Sequence, residues 1–337
     1  MQVGTWGAWP RRTGIDTPWR AILDKGGSLA AIAALASVAV LNSENTDTAP
    51  DEAPPAVASE ASPAEAKKAR PGREILIAGY MSQPFYRRSD VHLTRPDGTD
   101  TTLKQLGWDG DAWRFPIDGG VRSMEWWGSV GVMIDFLHNK AVARLGKGAH
   151  GRKLANPVIE DVDAEGTLAG EPIAPRVKLT DVFERLEFTH GHNVLLFTGL
   201  LRPVAVTSRI RPYLGLGAGF ALPHVEVWFP GGVQDDRTNE YQFAGPAAQA
   251  VAGLEFRVGK VSYFLEYKLS WAHISAALTG DESWKNFNMP GDLLRQLGRW
   301  WRGEVPRHGT VETTLTAHQA AFGAGYWWQA RRAAPAP

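Results

Sequence analysis

The chain has 337 residues, of which 36 are lysine or arginine and 36 are aspartate or glutamate, so its formal charge is zero. Balanced charge gives no argument for nucleic acid as a partner. The absence of cysteine excludes both a disulfide framework and a thiolate metal site. The 36 glycines suit a tightly curved sheet, and the 14 tryptophans suit a bilayer interface, where the ring is apolar and its N–H can stay wet.

The first 72 residues lack the pattern of a folded domain. An arginine-bearing start precedes an apolar run from Ser28 to Leu41. That run is short for a bilayer span but has the length of the apolar region of a secretion signal. Residues 1–42 are therefore predicted to be an export signal or an N-terminal anchor. Residues 43–72 are rich in Ala, Pro and Glu without apolar periodicity, which predicts a disordered linker.

From residue 73 to residue 330 the pattern changes to short apolar stretches with period-two alternation. Eight strands are predicted, at 74–83, 120–127, 129–139, 185–200, 209–227, 240–257, 260–273 and 312–328. The links after the second, fourth and sixth strands are short, whereas those after the odd-numbered strands are long and polar. Loops segregated in this way are typical of an outer-membrane barrel and not of a soluble β-sandwich.

We therefore predict an all-β fold, an eight-stranded antiparallel transmembrane β-barrel with long extracellular loops. Its location would be the outer membrane of a Gram-negative bacterium, and a single chain would suffice to close it. In the seventh strand, Tyr263, Leu265 and Tyr267 form a face predicted to meet lipid. The charged residues on the predicted inward parity are expected to form a paired network that fills the narrow lumen: Asp135, Glu125, Glu255, Glu266, Lys268 and Arg211. Aromatic residues near the short turns, Trp126 among them, are predicted to form a girdle.

Several histidines share the lipid-facing parity toward the long-loop ends of three consecutive strands: His138, His190, His192 and His224, the last with Glu226. Hydrocarbon offers such groups no partner. They could lie above the hydrocarbon and be solvated, or a bulge near Gly191 or Pro223 could reverse the parity. Imidazoles with a carboxylate suit zinc or iron, and iron with open positions suits oxygen chemistry. One histidine and one glutamate could instead act as an acid–base pair on a sugar hydroxyl.

The last long loop carries leucines and tryptophans at helical spacing, interleaved with arginines: Leu293, Leu294, Leu297, Trp300 and Trp301, with Arg295, Arg299 and Arg302. This pattern predicts an amphipathic helix at the membrane interface, with a solvated loop face as the alternative. The glycine run at 215–219 has no helix after it and no surrounding βαβ unit, so no nucleotide cofactor is expected.

Several segments in ordered spacing together resemble a known family, the outer-membrane lipid A oxidases of rhizobia. They are G-Y-M-S-Q-P (79–84), I-D-F-L-H-N-K (134–140), L-E-F-T-H-G-H-N (186–193), P-H-V-E (223–226), E-Y-Q-F-A-G-P-A-A-Q (240–249), G-L-E-F (253–256) and E-Y-K (266–268). The resemblance covers most of residues 74–328 and neither the leader nor the linker. It implies an oxygen-dependent oxidation of the proximal glucosamine of lipid A to a 2-aminogluconate unit, with lipid A or lipopolysaccharide as the partner.

The matched motifs supply the candidate site. The candidate catalytic residues are His190, His192, His224 and Glu226, and the same four are the hypothetical metal ligands. The candidates for substrate binding are Tyr241, Gln242, Glu240, His138 and Asn193. Because no standard side chain accepts two electrons, an iron-like divalent metal or direct reaction with O2 as co-substrate is expected. Two alternatives stay open. One is a lipid A deacylase or acyltransferase on the same scaffold, which would need a nucleophile beside a histidine; the other is a non-enzymatic structural or adhesion barrel.

Overall fold

Eight long antiparallel strands pair in a closed ring. The structure, a computed structural model, describes residues 72–203, 209–232, 236–280 and 288–330. The strands are β1 (Arg73–Tyr86), β2 (Gly119–Trp127), β3 (Val130–Ala143), β4 (Arg185–Leu201), β5 (Ile210–Ala221), β6 (Gly245–Val258), β7 (Val261–Ala277) and β8 (Thr310–Ala330). Each pairs with the next, and β8 pairs with β1 to close the ring. The predicted eight-stranded antiparallel barrel is therefore confirmed.

The predicted export signal or anchor at 1–42 lies outside the described residues, as does the predicted linker up to residue 71. Within the described part of the chain, no helix has the length and apolar character needed to cross a membrane.

Two predicted strands are each divided in the structure. The stretch 209–227 becomes β5 and a separate strand, His224–Trp228, because Pro223 lies at the break and has no N–H to continue the ladder. The stretch 240–257 becomes the strand Thr238–Tyr241 and β6. The two short strands pair with each other, and the first also pairs with the start of β4. They therefore extend the sheet beyond the ring, at the end that carries the long loops.

The long loops contain most of the remaining short elements. The first loop has the strands Ser89–Thr94, Asp100–Leu106 and Trp108–Asp109. The second has the strands Lys147–Gly148, Arg152–Lys153, Asp161–Leu168, Glu171–Pro172 and Arg176–Lys178, a 3-10 turn at Ala149–Gly151 and the helical turn α1 (Leu179–Val182). The last loop contains helix α2 (Met289–Trp301). The links between β2 and β3, β4 and β5, and β6 and β7 are short, so the predicted alternation of loop lengths is confirmed.

The outer wall of the ring is apolar. In β7, Tyr263, Leu265 and Tyr267 are exposed, whereas the alternate residues Glu266 and Lys268 are buried. A closed ring satisfies its strand hydrogen bonds internally, and an apolar outer face can then meet hydrocarbon. This protein is an outer-membrane β-barrel, located in the outer membrane of a Gram-negative envelope.

A charged network fills the middle of the barrel. The Arg122 guanidinium donates two hydrogen bonds to Glu266, at 2.7 and 3.1 Å. Asp135 accepts from Lys268 and, at 2.9 Å, from the Tyr80 hydroxyl. A second buried network lies near the short turns. It contains Arg211 and Glu255, whose predicted inward positions are thereby confirmed. Its other members are Glu74, Arg202 and Arg257.

Two residues of β2 face opposite to the prediction. Glu125 lies on the outer wall, where it pairs with Arg73, and Trp126 is fully buried inside the barrel with the Arg202 guanidinium 4.4 Å from its ring. Near the short turns the lumen holds two apolar side chains, Met124 and Trp126, beside the second buried network. The expectation that polar residues face the lumen and apolar residues face lipid therefore fails at this part of β2. Glu125, predicted inside, lies outside, and Trp126, predicted outside, lies inside.

Removing one partner of the Arg122–Glu266 pair is expected to destabilise the barrel strongly. Glu266→Ala leaves a buried guanidinium without its nearest carboxylate, and such a loss costs about 3–5 kcal/mol. Urea unfolding of the protein in lipid vesicles measures the change. Glu125→Ala is the control, because the pair with Arg73 is partly exposed and such pairs contribute about 0–1 kcal/mol. Equal losses in the two variants would contradict a stabilising interior network.

Candidate functional site

A β-bulge in β4 separates its two histidines. Pairing with β3 runs through Phe188↔Ala141 and resumes at His192↔Asn139, so three residues of β4 oppose one residue of β3. Gly191, inside this bulge, has φ of 125°, a conformation that favours glycine. A bulge of this kind re-aims the side chains beside it.

His192 lies in the interior. It is 2% exposed, and its ring packs 6.3 Å from Tyr86 and 6.4 Å from Phe188. The predicted lipid-facing position of His192 is wrong, because in the regular part of β4 His192 shares the inward face with Val194 and Leu196, which are also buried.

His224 and Glu226 also do not face lipid. They lie on the strand His224–Trp228, which is separate from the barrel wall and is covered by β4 on one side and by the strand Thr238–Tyr241 on the other. Both residues are buried. Their predicted parity was wrong because the chain breaks at Pro223 before it reaches them.

Glu226 is the centre of a polar cluster. His190 Nδ1 lies 2.6 Å from its Oε1, and His224 Nδ1 lies 3.4 Å from the same oxygen. The Thr189 hydroxyl donates to Oε1 at 2.8 Å, and Arg185 donates to Oε2 at 2.9 Å. The structure thus brings together three of the four predicted catalytic residues, His190, His224 and Glu226, and not His192.

A third imidazole joins this cluster from the second long loop. The ring of His150 lies 4.3 Å from that of His190. One ligand atom from each of His150, His190 and Glu226 falls within 4.8 Å of the others. Two imidazoles and one carboxylate at this spacing form a donor set that divalent transition metals accept.

The protonation states of the cluster suit a cation. Burial lowers the pKa of His150 to about 4, with a smaller contribution from His190. Burial raises the pKa of Glu226, but the contacts with His190 and His224 outweigh it and hold that pKa well below its usual range. At neutral pH His150 is therefore neutral and Glu226 ionised, which are the forms that bind metal ions.

His224 adds an unpartnered group to the cluster. Both of its ring nitrogens are buried; Nδ1 lies beside Glu226, whereas Nε2 makes no hydrogen bond to any described residue. A buried polar atom without a partner is costly and calls for an explanation such as an ion. The donor set and this unpartnered ring nitrogen together fit a bound metal ion.

An open pocket of about 600 Å³ adjoins the cluster. It is lined by Phe115, Pro116, Phe136, His138, His150, His190, Asn193, Tyr241 and Met289. Phe136 and His138 lie on the outward face of β3, and His138 pairs with Asn193 of β4. The pocket therefore opens on the outer wall of the barrel at its loop end. Four predicted site residues line it: His138, His190, Asn193 and Tyr241.

No protein-family model matches the chain, and no curated protein matches it. Among solved structures, the solid-state NMR structure of outer membrane protein AlkL in DMPC lipid bilayers is similar at a TM-score of 0.34 and 13% identity, over 82% of this chain and 100% of that chain.

Glu240 and Gln242, both predicted to bind substrate, do not line the pocket. Both are fully buried. The Gln242 amide donates to the Ala277 carbonyl and accepts from the Ala277 N–H, each at 2.8 Å, while Glu240 accepts from Arg299 at 2.8 Å. These contacts tie the segment to β7 and α2 and so hold Tyr241 between them. The Tyr241 hydroxyl in turn donates to the His190 carbonyl at 3.1 Å.

His150 is the site residue that the sequence reasoning missed. It lies in the 3-10 turn Ala149–Gly151 with a φ of 58°. The surrounding K-G-A-H-G-R-K has no motif that marks a ligand. The only signal available was a histidine flanked by glycine in a long loop at the correct end of the barrel.

Proposed function

We propose that this outer-membrane barrel oxidises the proximal glucosamine of lipid A to 2-aminogluconate, with O2 as co-substrate and an iron-like divalent metal as cofactor. One observation carries the proposal. A cluster of two imidazoles and a carboxylate borders a pocket that opens on the outer wall, at the loop end, where outer-leaflet lipid lies. The resemblance to the lipid A oxidases, over most of residues 74–328, supports the same substrate. Since one chain supplies the whole lining, a monomer is sufficient.

The surroundings of the pocket fit a substrate with both acyl chains and a sugar. Apolar side chains border one part, with Phe115 88% exposed in the first long loop and Phe136 on the lipid-facing wall. His138, Asn193 and Tyr241 supply polar groups to the same lining. Such a division between apolar walls and a few polar groups is usual where a site orients an amphiphilic ligand.

The reaction balances with oxygen as the oxidant. At the hemiacetal carbon of the glucosamine, the C–H bond and the hydroxyl O–H bond break and a carbonyl forms, which gives a lactone. The two electrons and two protons pass to O2, which becomes hydrogen peroxide. Water then opens the lactone to the acid. The net change in the sugar is the gain of one oxygen atom.

His150, His190 and Glu226 would hold the metal, with His224 beside them. A bound divalent metal with open coordination positions would supply the site at which oxygen accepts electrons. Arg185 and Thr189 hold the Glu226 carboxylate in place through the hydrogen bonds described above, as groups around a metal site commonly do.

His138 is proposed to take the proton of the sugar hydroxyl. Its Nδ1 lies 2.8 Å from Asn193 Oδ1. The amide is oriented by Nδ2, which donates to the Leu222 carbonyl at 3.4 Å. Because Oδ1 only accepts, the His138 proton is on Nδ1. Its Nε2 therefore keeps a lone pair and makes no hydrogen bond to any described residue; this nitrogen is buried, so the sugar hydroxyl would have to displace a covering side chain to reach it.

Mass spectrometry of lipid A tests the proposal. The gene is expressed, with and without air, in a Gram-negative host that lacks the modification and whose lipid A carries a free hydroxyl, not a phosphate, at C1 of the proximal glucosamine, because the proposed reaction breaks that O–H bond. We expect a gain of one oxygen on the proximal glucosamine in air alone. Loss or gain of an acyl chain would instead support a deacylase or acyltransferase. Unchanged lipid A, with the barrel present in the outer membrane, would support a structural or adhesion barrel and contradict the proposal.

The two histidines of β4 provide a matched pair of variants. His190→Gln is expected to lower oxidation at least about 100-fold, since even groups around metal ligands matter 10–100-fold. His192→Gln is expected to retain most of the activity, because His192 lies on the other side of the bulge. The heat-dependent gel mobility of each variant reports whether the barrel is folded. Loss of activity in a folded His192→Gln barrel, with His190→Gln active, would overturn the site.

A further inference from the structure

Helix α2 directs its polar residues to the protein and its apolar residues outward. Asp292 and Gln296 are 0% and 6% exposed, whereas Leu294, Leu297 and Trp301 are 67%, 53% and 93% exposed. The three apolar residues are spaced by three and four positions, which places them on one face of the helix. A helix on the surface of a soluble protein has the opposite arrangement, with its apolar stripe against the core.

Polar contacts fix this orientation. Asp292 accepts a hydrogen bond from the Tyr241 N–H at 3.0 Å. Gln296 accepts from the Phe243 N–H at 2.6 Å and donates to the Phe243 carbonyl at 3.1 Å. Arg299 donates to Glu240 as described above. The outward apolar face is therefore the consequence of specific docking on residues 240–243.

The apolar face of α2 is continuous with the lipid-facing wall of the barrel. Phe220 lies on the outer face of β5, and its ring is 5.1 Å from that of Phe243. Phe243 is in turn 5.9 Å from Trp300 of the helix. A row of three aromatic rings thus leads from the wall that meets hydrocarbon to the helix.

We infer that α2 lies in the outer leaflet at the boundary between acyl chains and headgroups, with Leu294, Leu297 and Trp301 in contact with lipid. Helices that lie in this plane bury one apolar face at that depth. The same helix holds Tyr241 through Asp292, and its Met289 lines the pocket. Lipid contact by α2 therefore sets the mouth of the pocket at the membrane surface. The placement of the helix does not depend on which reaction the pocket supports.

The absence of cysteine from the sequence makes site-specific labelling direct. In the full chain, Trp301→Cys carries an environment-sensitive fluorophore, and the labelled protein is reconstituted into phosphatidylcholine vesicles. Leu294→Cys is a second labelling site on the same face. Glu171→Cys is the control, because Glu171 is exposed in the strand Glu171–Pro172 of the second long loop. Heat-dependent gel mobility verifies that each labelled barrel is folded.

The labels at positions 301 and 294 are expected to emit at shorter wavelength than the control. Lipids with a spin label on the acyl chain should quench them several-fold more than the label at position 171, and aqueous iodide should quench them less. Emission and iodide quenching equal to those of the control would overturn the inference. Protection from both quenchers would also overturn it, because it would indicate that a second copy or another protein covers the helix.

Discussion

Glu226→Gln is expected to abolish both metal binding and lipid A oxidation while the barrel stays folded. The change removes the only carboxylate among the three grouped ligand atoms of His150, His190 and Glu226. An amide is a weaker ligand than a carboxylate for a divalent transition metal, and it brings no charge. Because Glu226 lies in the loop layer and not in the ring, the strand pairing that closes the barrel does not depend on it.

Calorimetric titration of the purified barrel with ferrous or zinc ions measures the first effect, and lipid A mass spectrometry measures the second. Glu187→Gln is the matched control, since Glu187 is also a buried carboxylate beside Thr189 and Arg185 but is not in the ligand group. We expect the control to bind metal with an affinity within a few-fold of the wild type. Wild-type metal affinity in Glu226→Gln would remove the metal site from the proposal.

The sequence predicted the barrel well because lipid outside and a packed lumen inside impose a strict alternation on every strand. The predicted third strand, 129–139, and the observed β3, Val130–Ala143, illustrate the agreement. The positions of Lys268 and Asp135 followed from the same rule. It failed in β2, where Glu125 pairs outside with Arg73 and Trp126 packs inside against Tyr213 and Arg202, because the rule takes no account of the apolar side chains that also pack in the lumen.

The candidate site was predicted less completely, and for a different reason. Counting alternate residues along a sequence predicts which face a side chain lies on only while the strand stays regular. The bulge in β4 and the break at Pro223 both lie among the site residues. A glycine or a proline in a strand is compatible with a bulge but does not require one, so Gly191 and Pro223 alone do not determine that the pattern breaks at both. His150 could not be reached by parity at all, because it lies in a loop distant along the chain and only the fold brings it to His190.

Gly191→Ala is expected to separate His190 from the cluster while the barrel remains closed. The φ of 125° at Gly191 is one that residues with a Cβ rarely adopt, and strain of this kind costs about 1–3 kcal/mol. An added Cβ would also overlap the side-chain amide of Asn193. The strand can relieve both by losing the bulge, and regular alternation would then turn His190 to the inward face that His192 and Val194 occupy.

The same strand offers the control. Gly199→Ala places a Cβ no closer than 3.9 Å to a neighbouring atom, at a position without a positive φ. We expect Gly191→Ala to reduce metal affinity and lipid A oxidation at least about 100-fold, as loss of a ligand does, and Gly199→Ala to leave both nearly unchanged. Heat-dependent gel mobility should be normal for both, because the ring on the turn side of the bulge is intact. If Gly191→Ala kept full activity, His190 would reach Glu226 without the bulge, and the separation of the two β4 histidines would need another cause.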